Sequence, residues 1–336
     1  MEQYSGSQIV VLEGLEAVRR RPGMYIGSTG SRGLHHLVWE IIDNGIDEHL
    51  AGYCTQINVT LRKDGGIEIE DNGRGVPVDI HPQKNIPTAR VVYTILHAGG
   101  KFGHSVYKVS GGLHGVGASV VNALSKRMIV EIKRDGNIYR DEYINGGHPV
   151  TELVDGLLPI VGKCKKNETG TKVIFFPDDT IFETVEFKAE IIQKKLRELS
   201  YLNKNLTLTF YDENTGISQT YKEEHGIKSF ISYLTRDMNV LHDEPIYLEG
   251  KSGNIEVEIA FQYTNNFAEQ INSYCNCINV VDGGTHVTGF KTGLTRVINQ
   301  YARELGVLKD KNENFDGKDV RNGIVAIVSI KHPDPQ

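Results

Sequence analysis

The stretch LHHLVWEIIDNGIDEHL, residues 34–50, carries the strongest secondary-structure signal in this chain of 336 residues. Its apolar side chains recur at helical spacing and predict one buried helix face; they are Leu34, Val38, Ile41, Ile42 and Ile46. The opposite face carries polar side chains instead, namely His36, Glu40, Asp43, Asn44 and Asp47. The pattern therefore predicts a helix that packs on one side and presents carboxylates, an amide and an imidazole on the other.

Three of these polar residues share one arc of the predicted helix. Glu40 and Asn44 are four residues apart, and Asp47 follows one turn later. A solvated helix face would produce the same pattern. The alternative interpretation is functional: the Glu40 carboxylate would take a proton from water, and the Asn44 amide oxygen beside it would bind Mg²⁺. His36, one turn before Glu40, would orient that carboxylate or would simply be a surface histidine.

Two predicted strands follow, residues 56–61 and 66–70, and the second runs into DNGRGVP at residues 71–77. A carboxylate at Asp71 can accept a hydrogen bond from an exocyclic amine, and glycines at 73 and 75 let a flat ring approach the backbone. The tripeptide DNG at residues 71–73 is also common in turns. Asp71, like Thr171 before a later strand, is therefore a weak signal when it is taken alone.

A second glycine-bearing segment, SGGLHGVGAS at residues 110–119, precedes a predicted helix near 118–124. It lacks the Gly-Lys-Ser/Thr ending of a P-loop. Its glycine order, Gly-Gly-x-x-Gly-x-Gly, also differs from the dinucleotide fingerprint, which argues against a dehydrogenase. Glycine amides followed by a helix start still suit an anion. A phosphate cradle and a mobile connector both remain open.

The order of the elements predicts two domains. The chain exceeds the usual size of a single core, and its helices and strands mix without a regular βαβ alternation, which favours an α+β sandwich. A polar stretch at 213–224 marks the boundary. We therefore predict an arm at 1–14, a first domain at 15–219 and a smaller α+β domain at 220–336. Hydrophobic periodicity further along the chain also predicts a helix at 184–199 and a strand at 273–280.

Composition excludes some classes of protein. The formal net charge of −6 argues against a surface that grips nucleic acid throughout. The four cysteines show no zinc-site spacing. The start of the sequence lacks the pattern of a secretion signal, and no apolar run is long enough to span a membrane. These observations predict a cytoplasmic protein without a membrane partner.

Taken in order, the motifs at Glu40 and Asn44, at 71–75, at 111–117 and at Thr171 resemble the ATP-binding fold of gyrase, a heat-shock chaperone, histidine kinases and MutL repair proteins. Further motifs are similar to the bacterial type IIA topoisomerases, and they cover essentially the whole chain; they are RPGMYIG at 21–27, GLHH at 33–36, LHAGGKF at 96–102 and DGGTH at 282–286. Residues 244–247 and 331–335 look more like gyrase B subunits than like their topoisomerase IV homologues. The resemblance implies a two-layer α/β sandwich followed by a transducer-like domain similar to ribosomal protein S5.

The resemblance also implies roles for single residues. Glu40 would be the general base for the attacking water, His36 would orient it, and Asn44 would bind Mg²⁺. Asp71 would read the adenine amino group, directly and through a water shared with Thr171. Further contacts to ATP would come from Tyr4, Asp47, Gly75, Lys101, Tyr107, Gly111, Gly112, Leu113, His114, Gly115, Val116 and Gly117.

Partners are implied in the same way. Tyr4, in the arm, would reach the partner protomer's site and couple ATP to closure of a homodimer, and the full-length enzyme would work with the gyrase A subunit and DNA. Aminocoumarin inhibitors would be contacted by Asn44, Asp71, Arg74, Gly75, Pro77, Arg134 and Thr171. Basic side chains in the second domain would face DNA or only solvent; they are Lys291, Arg296, Arg303, Lys309 and Lys311.

One element of the family pattern is missing from the sequence. The family's second domain supplies a Gln-Thr-Lys loop whose lysine contacts the γ-phosphate, and the sequence reaches Gln336 without it. A truncated fragment is therefore expected, one that binds nucleotide but hydrolyses ATP slowly, because phosphoryl transfer depends on neutralising developing charge. The alternatives are a topoisomerase IV B-type subunit and a nucleotide-binding latch; a histidine kinase is disfavoured by the topoisomerase-like second half.

Overall fold

The computed structural model describes residues 12–100, 107, 109–111, 115–309 and 313–335. It forms two compact units, one of residues up to Arg197 with Leu206–Tyr221, and one of Glu198–Asn205 with the residues from Lys222 onward. The domain limits given above stay predictions. Six residues singled out from the sequence lie outside the described ones: Tyr4, Lys101, Gly112, Leu113, His114 and Lys311.

The first unit contains, in its described part, a sheet of nine strands in the order β5-β4-β3-β7-β2-β1-β8-β9, with β6 paired to β4. The pairing of β1 with β8 is parallel, and the other pairs are antiparallel. The strands are β1 Gln56–Leu61, β2 Ile67–Asp71, β3 Ser125–Arg134, β4 Asn137–Ile144, β5 His148–Pro149, β6 Ile160–Lys163, β7 Gly170–Pro177, β8 Thr207–Asp212 and β9 Ser218–Tyr221. The helices are α1 Gly14–Arg20, α2 Gly23–Ile26, α3 Ser31–Leu50, α4 Thr88–Thr94 and α5 Gly117–Ala123. A sixth helix, α6 Ala189–Leu202, begins in this unit, and its residues from Glu198 onward belong to the second unit.

The two faces of this sheet differ in chemistry. Alternate residues of β1, such as Ile57 and Val59, are buried in the core together with the apolar face of α3. The opposite face carries ion pairs between neighbouring strands, among them Lys172 Nζ with Glu131 Oε2 at 2.9 Å. Helices therefore cover one face of the sheet, as a two-layer α+β sandwich requires.

The second unit contains a five-stranded sheet in the order β10-β11-β14-β12-β13, counted over its described residues. Phe261, Phe290 and Val328 are part of its buried apolar cluster, which joins this sheet to a long helix. The strands are β10 Ile246–Ser252, β11 Ile255–Tyr263, β12 Gln270–Cys275, β13 Ile278–Asn279 and β14 Ile324–Lys331, and the helices are α7 Ile227–Thr235, α8 Thr285–Glu304 and α9 Gly317–Val320. No helix in the described part of the chain is long and apolar enough to cross a membrane.

Two predicted elements differ from the structure. The helix predicted from residue 184 begins only at Ala189. The strand predicted over 273–280 is a hairpin, because Asn276 and Cys277 adopt positive φ angles of 51° and 67° between β12 and β13. The Asn276 side chain bonds the backbone of His332, donating to its carbonyl and accepting from its amide. Contacts distant in sequence therefore hold this turn.

A buried ion pair anchors α4 to the sheet. Arg90 donates from Nη2 to Asp141 Oδ1 at 2.7 Å and from Nε to Asp141 Oδ2 at 3.0 Å, and the Asp141 side chain is fully buried. Tyr143 also donates its hydroxyl to Asp141, at 2.6 Å. Arg90 thus supplies the positive charge that offsets this buried carboxylate.

We expect Arg90→Met to lower the free energy of unfolding by about 3–5 kcal/mol, because it leaves a buried carboxylate without its cationic partner. The matched control is Arg127→Met, which removes a half-exposed arginine from its 2.7 Å pair with Glu142 and should cost about 0–1 kcal/mol. Urea denaturation followed by circular dichroism measures both. Equal midpoints for the two variants would contradict the expectation.

Candidate active site

The polar face of α3 places an imidazole against a carboxylate. His36 Nε2 lies 3.0 Å from Glu40 Oε1, one helical turn away. The pKa of His36 is raised, chiefly by its hydrogen bond to Glu40. Asn44 follows on the same side after a further turn and is half-buried. The structure therefore brings together the three residues predicted from the sequence at this face.

The start of α5 lies against the same carboxylate. A Cβ atom on Gly117, the first residue of α5, would be only 2.1 Å from Glu40 Oε2, so a side chain at this position would force the Glu40 carboxylate to move. Gly115, two residues earlier, has a φ of 59°, a conformation that favours glycine. The backbone amides at a helix start attract anions, and here they begin beside the Glu40 carboxylate.

The strand-end aspartate is partly buried. Asp71 ends β2 and is the register partner of Thr171 in β7. Its Oδ1 accepts a hydrogen bond from the Gly73 amide at 2.8 Å, and burial raises the pKa of Asp71 to about 6. Thr171 Oγ1 accepts from the Val76 amide at 3.2 Å. Two acceptor-bearing side chains from neighbouring strands thus lie beside the 71–77 loop.

Sequence reasoning missed Glu48, whose carboxylate organises the other side of this loop. Arg74 donates to it from Nε at 2.9 Å and from Nη2 at 2.7 Å, and the Tyr107 hydroxyl donates to it at 2.6 Å. The Arg74 guanidinium also lies over the rings of Tyr53 and Tyr107. These bonds hold the pKa of Glu48 below its usual range despite burial. Its position four residues after Asn44, on the polar face, was the available signal.

The remaining predicted residues fall into three groups. Arg134 donates from Nη1 to the Gly75 carbonyl at 2.9 Å, and this brings it to the loop that contains Arg74 and the exposed Pro77. Asp47 is fully buried, and its Oδ1 accepts from the Gly111 amide at 2.7 Å. Val116 precedes α5 directly. Their contacts with a nucleotide or an inhibitor stay predictions.

The basic residues predicted to face DNA lie in the second unit. Lys291, Arg296 and Arg303 line a cavity of about 820 Å³ along α8. Lys291 Nζ pairs with Glu269 at 2.6 Å, and Arg303 donates to the Lys309 carbonyl at 2.8 Å. Part of this charge is therefore used within the unit, and the contact with DNA stays a prediction.

Comparison with known families places this geometry in a class. Residues 29–181 match the family model described as histidine kinase-, DNA gyrase B- and HSP90-like ATPase, and residues 226–336 match the model described as DNA gyrase B. The first match contains α3, the 71–77 loop, the glycine-rich segment and Thr171. The fold and the site thus define an ATP-binding ATPase domain of the kind shared by these three groups.

Two curated relatives identify the family within this class of ATPases. The chain is 51% identical to the DNA gyrase B protein of Clostridium acetobutylicum, over 100% of this chain and 52% of that protein. It is 53% identical to the DNA topoisomerase 4 B protein of Staphylococcus aureus, over 98% of this chain and 49% of that protein. The chain belongs to the family formed by the B subunits of DNA gyrase and topoisomerase IV. It spans about half the length of these curated relatives.

Solved structures agree with this assignment. The 43K ATPase domain of Thermus thermophilus gyrase B, solved in complex with an aminocoumarin, superposes with a TM-score of 0.81 at 41% identity, covering 96% of this chain and 82% of that chain. The ATP-binding domain of Francisella tularensis topoisomerase IV gives 0.78 at 34% identity, covering 97% and 84%. These matches confirm the predicted α+β fold and family. The two branches match about equally, so the preference for gyrase stays a prediction.

Proposed function

We propose that this chain binds and hydrolyses ATP, and that it does so as the ATP-driven part of a type IIA topoisomerase B subunit. The observation that carries the proposal is the placing of Glu40, hydrogen-bonded to His36 on one side and set against the helix start at Gly117 on the other. This arrangement puts a general base beside backbone amides that suit phosphate.

These residues have three proposed roles: proton transfer from water, stabilisation of phosphate charge and recognition of adenine. Glu40 accepts the proton of the attacking water, and the hydrogen bond from His36 keeps the carboxylate oriented. The amides of the glycine-rich segment that follow Gly111, whose own amide donates to Asp47, stabilise negative charge on the phosphates. Asp71 accepts a hydrogen bond from the adenine amino group, directly and through a water that Thr171 also binds.

We propose the same face of α3 as the place for Mg²⁺. No cluster of three or more His, Cys, Asp or Glu in the described part of the chain is arranged to hold a metal ion. Mg²⁺ is commonly held by one or two protein oxygens together with substrate phosphates and water. The Asn44 side-chain oxygen, one turn from Glu40, suits that role. When bound, the ion would neutralise phosphate charge during transfer.

Inhibitors and partners follow from the relatives. The Thermus thermophilus domain was solved with an aminocoumarin, and we propose that this chain binds such compounds where adenine binds and along the adjoining loop. The residues concerned are Asn44, Asp71, Arg74, Gly75, Pro77, Arg134 and Thr171. Homodimer closure through Tyr4, association with a gyrase A subunit and passage of DNA are proposals for the full-length protein.

The test is calorimetric titration with a non-hydrolysable ATP analogue, with and without Mg²⁺, while light scattering follows the molecular mass. We expect saturable binding that Mg²⁺ strengthens, and none with NAD⁺ as the matched nucleotide control. Absence of binding to the ATP analogue, or equal binding of NAD⁺, would exclude the proposed site. If the molecular mass stays that of a monomer at saturation, the result contradicts dimer closure but not ATP binding.

A further inference from the structure

Asp47 lies in the last turn of α3 and is fully buried, although it is a carboxylate. Its Oδ1 accepts a hydrogen bond of 2.7 Å from the backbone amide of Gly111, which is 64 residues away in sequence. A bond between a carboxylate and a backbone amide is among the stronger hydrogen bonds in proteins. Because the carboxylate is fully buried, it is removed from the solvent that nucleotide phosphates would occupy.

The glycine-rich segment contacts α3 at both of its described ends. Gly111 is bonded to Asp47, and Gly117 lies against Glu40. Asp47 and Glu40 are seven residues apart, so their side chains leave the same side of the helix two turns, or about 10 Å, from each other. The bond to Asp47 therefore sets one end of the segment relative to the helix edge that carries Glu40.

We propose that Asp47 is a positioning residue: it fixes Gly111 on α3 and so sets the glycine-rich segment relative to Glu40, with the amides at the described end of the segment, from Gly115 to Gly117, placed for phosphates. Asp47 does not touch the nucleotide itself. The proposal rests on the ATP site proposed above and assigns Asp47 a role different from the nucleotide contact predicted from the sequence. It requires the adenine end of the site, at Asp71, to be independent of Asp47.

Comparison of two ligands tests this separation. Asp47→Ala should weaken binding of a non-hydrolysable ATP analogue by about tenfold or more, the effect of losing a charge-assisted hydrogen bond. Adenosine, which has no phosphates, should bind within about twofold of the wild type, as measured by ligand-observed NMR. Asp47→Asn should bind the analogue within about threefold of the wild type, because its amide oxygen still accepts from Gly111.

The matched control is Asp178→Ala, which removes another buried carboxylate of the same unit, one that bonds Arg19 and Thr180. Its loss should lower thermal stability while leaving the ratio of the two affinities unchanged. If Asp47→Ala does not fold, Asp47→Glu keeps the charge but displaces the carboxylate, and should show the same selective loss. Equal weakening of both ligands, or none, would overturn the proposal; a wild-type protein that binds adenosine but not the analogue would instead overturn the proposed function.

Discussion

Glu40→Gln is expected to lower kcat for ATP hydrolysis by about 10²–10⁴-fold, while the dissociation constant of a non-hydrolysable analogue stays within about threefold. Glutamine has the shape of glutamate and can still accept the hydrogen bond from His36, and it fits beside Gly117 without a larger volume. It lacks only the ability to take a proton from water. Turnover measured by phosphate release, together with calorimetric affinity, separates catalysis from binding.

The control for this substitution is Glu16→Gln on α1, an exposed glutamate that pairs with Arg20 at 3.4 Å. It should change neither turnover nor affinity. Turnover of Glu40→Gln equal to that of the wild type would remove Glu40 from the mechanism. A wild-type protein that binds the analogue tightly but releases no phosphate would favour the alternative function, a latch that uses nucleotide only to change conformation.

Asp71→Asn is expected to weaken nucleotide binding by roughly 10- to 100-fold and to stabilise the free protein at the same time. The loss follows because, in the proposed site, the Asp71 carboxylate accepts from the adenine amino group, and the substitution replaces it by an amide with donors of its own. Hydrogen bonds to charged groups are worth about 1.5–3 kcal/mol. Titration with the ATP analogue measures it. Unchanged affinity would show that Asp71 does not read the base.

The expected gain in stability comes from removing the same negative charge, which is costly in the folded protein without nucleotide. Burial raises the pKa of Asp71 from 3.8 to about 6, so the folded protein carries a poorly solvated charge at neutral pH. At about 1.4 kcal/mol for each pKa unit, removing that charge should stabilise the fold by about 2–3 kcal/mol at pH 7. The advantage should shrink as pH falls through 6 toward 4, because wild-type Asp71 then becomes protonated without cost.

Asp64 is a control carboxylate whose substitution should not stabilise the fold. Asp64 is an exposed residue whose pKa is lowered, first of all by its hydrogen bonds to Arg62. Asp64→Asn should therefore be neutral or slightly destabilising at pH 7, and should leave nucleotide affinity unchanged. Urea denaturation at pH 7 and pH 4.5 compares the two variants. Equal shifts for both would mean that burial at Asp71 does not govern its charge.

Much of the site was visible in the sequence because it depends on short spacings. The apolar period over 34–50 fixed both the helix and the side on which Glu40 and Asn44 lie, and a strand running into a glycine-bearing turn located Asp71. These features need only the geometry of one helix or one strand end, so a pattern can reveal them. The order of the motifs then indicated the family that the comparisons confirm.

Only the tertiary structure decided which groups touch across the chain. Glu48 bonds Tyr107 and Asp47 bonds Gly111, at sequence separations of 59 and 64 residues, and no local pattern encodes such pairs. The close approach of Gly117 to Glu40 and the raised pKa of Asp71 likewise arise when separate elements pack and exclude water. The sequence alone thus determined which residues place carboxylate, imidazole and amide groups on one helix face and at one strand end, whereas packing determined the environment of these groups and the partners that hold them in place.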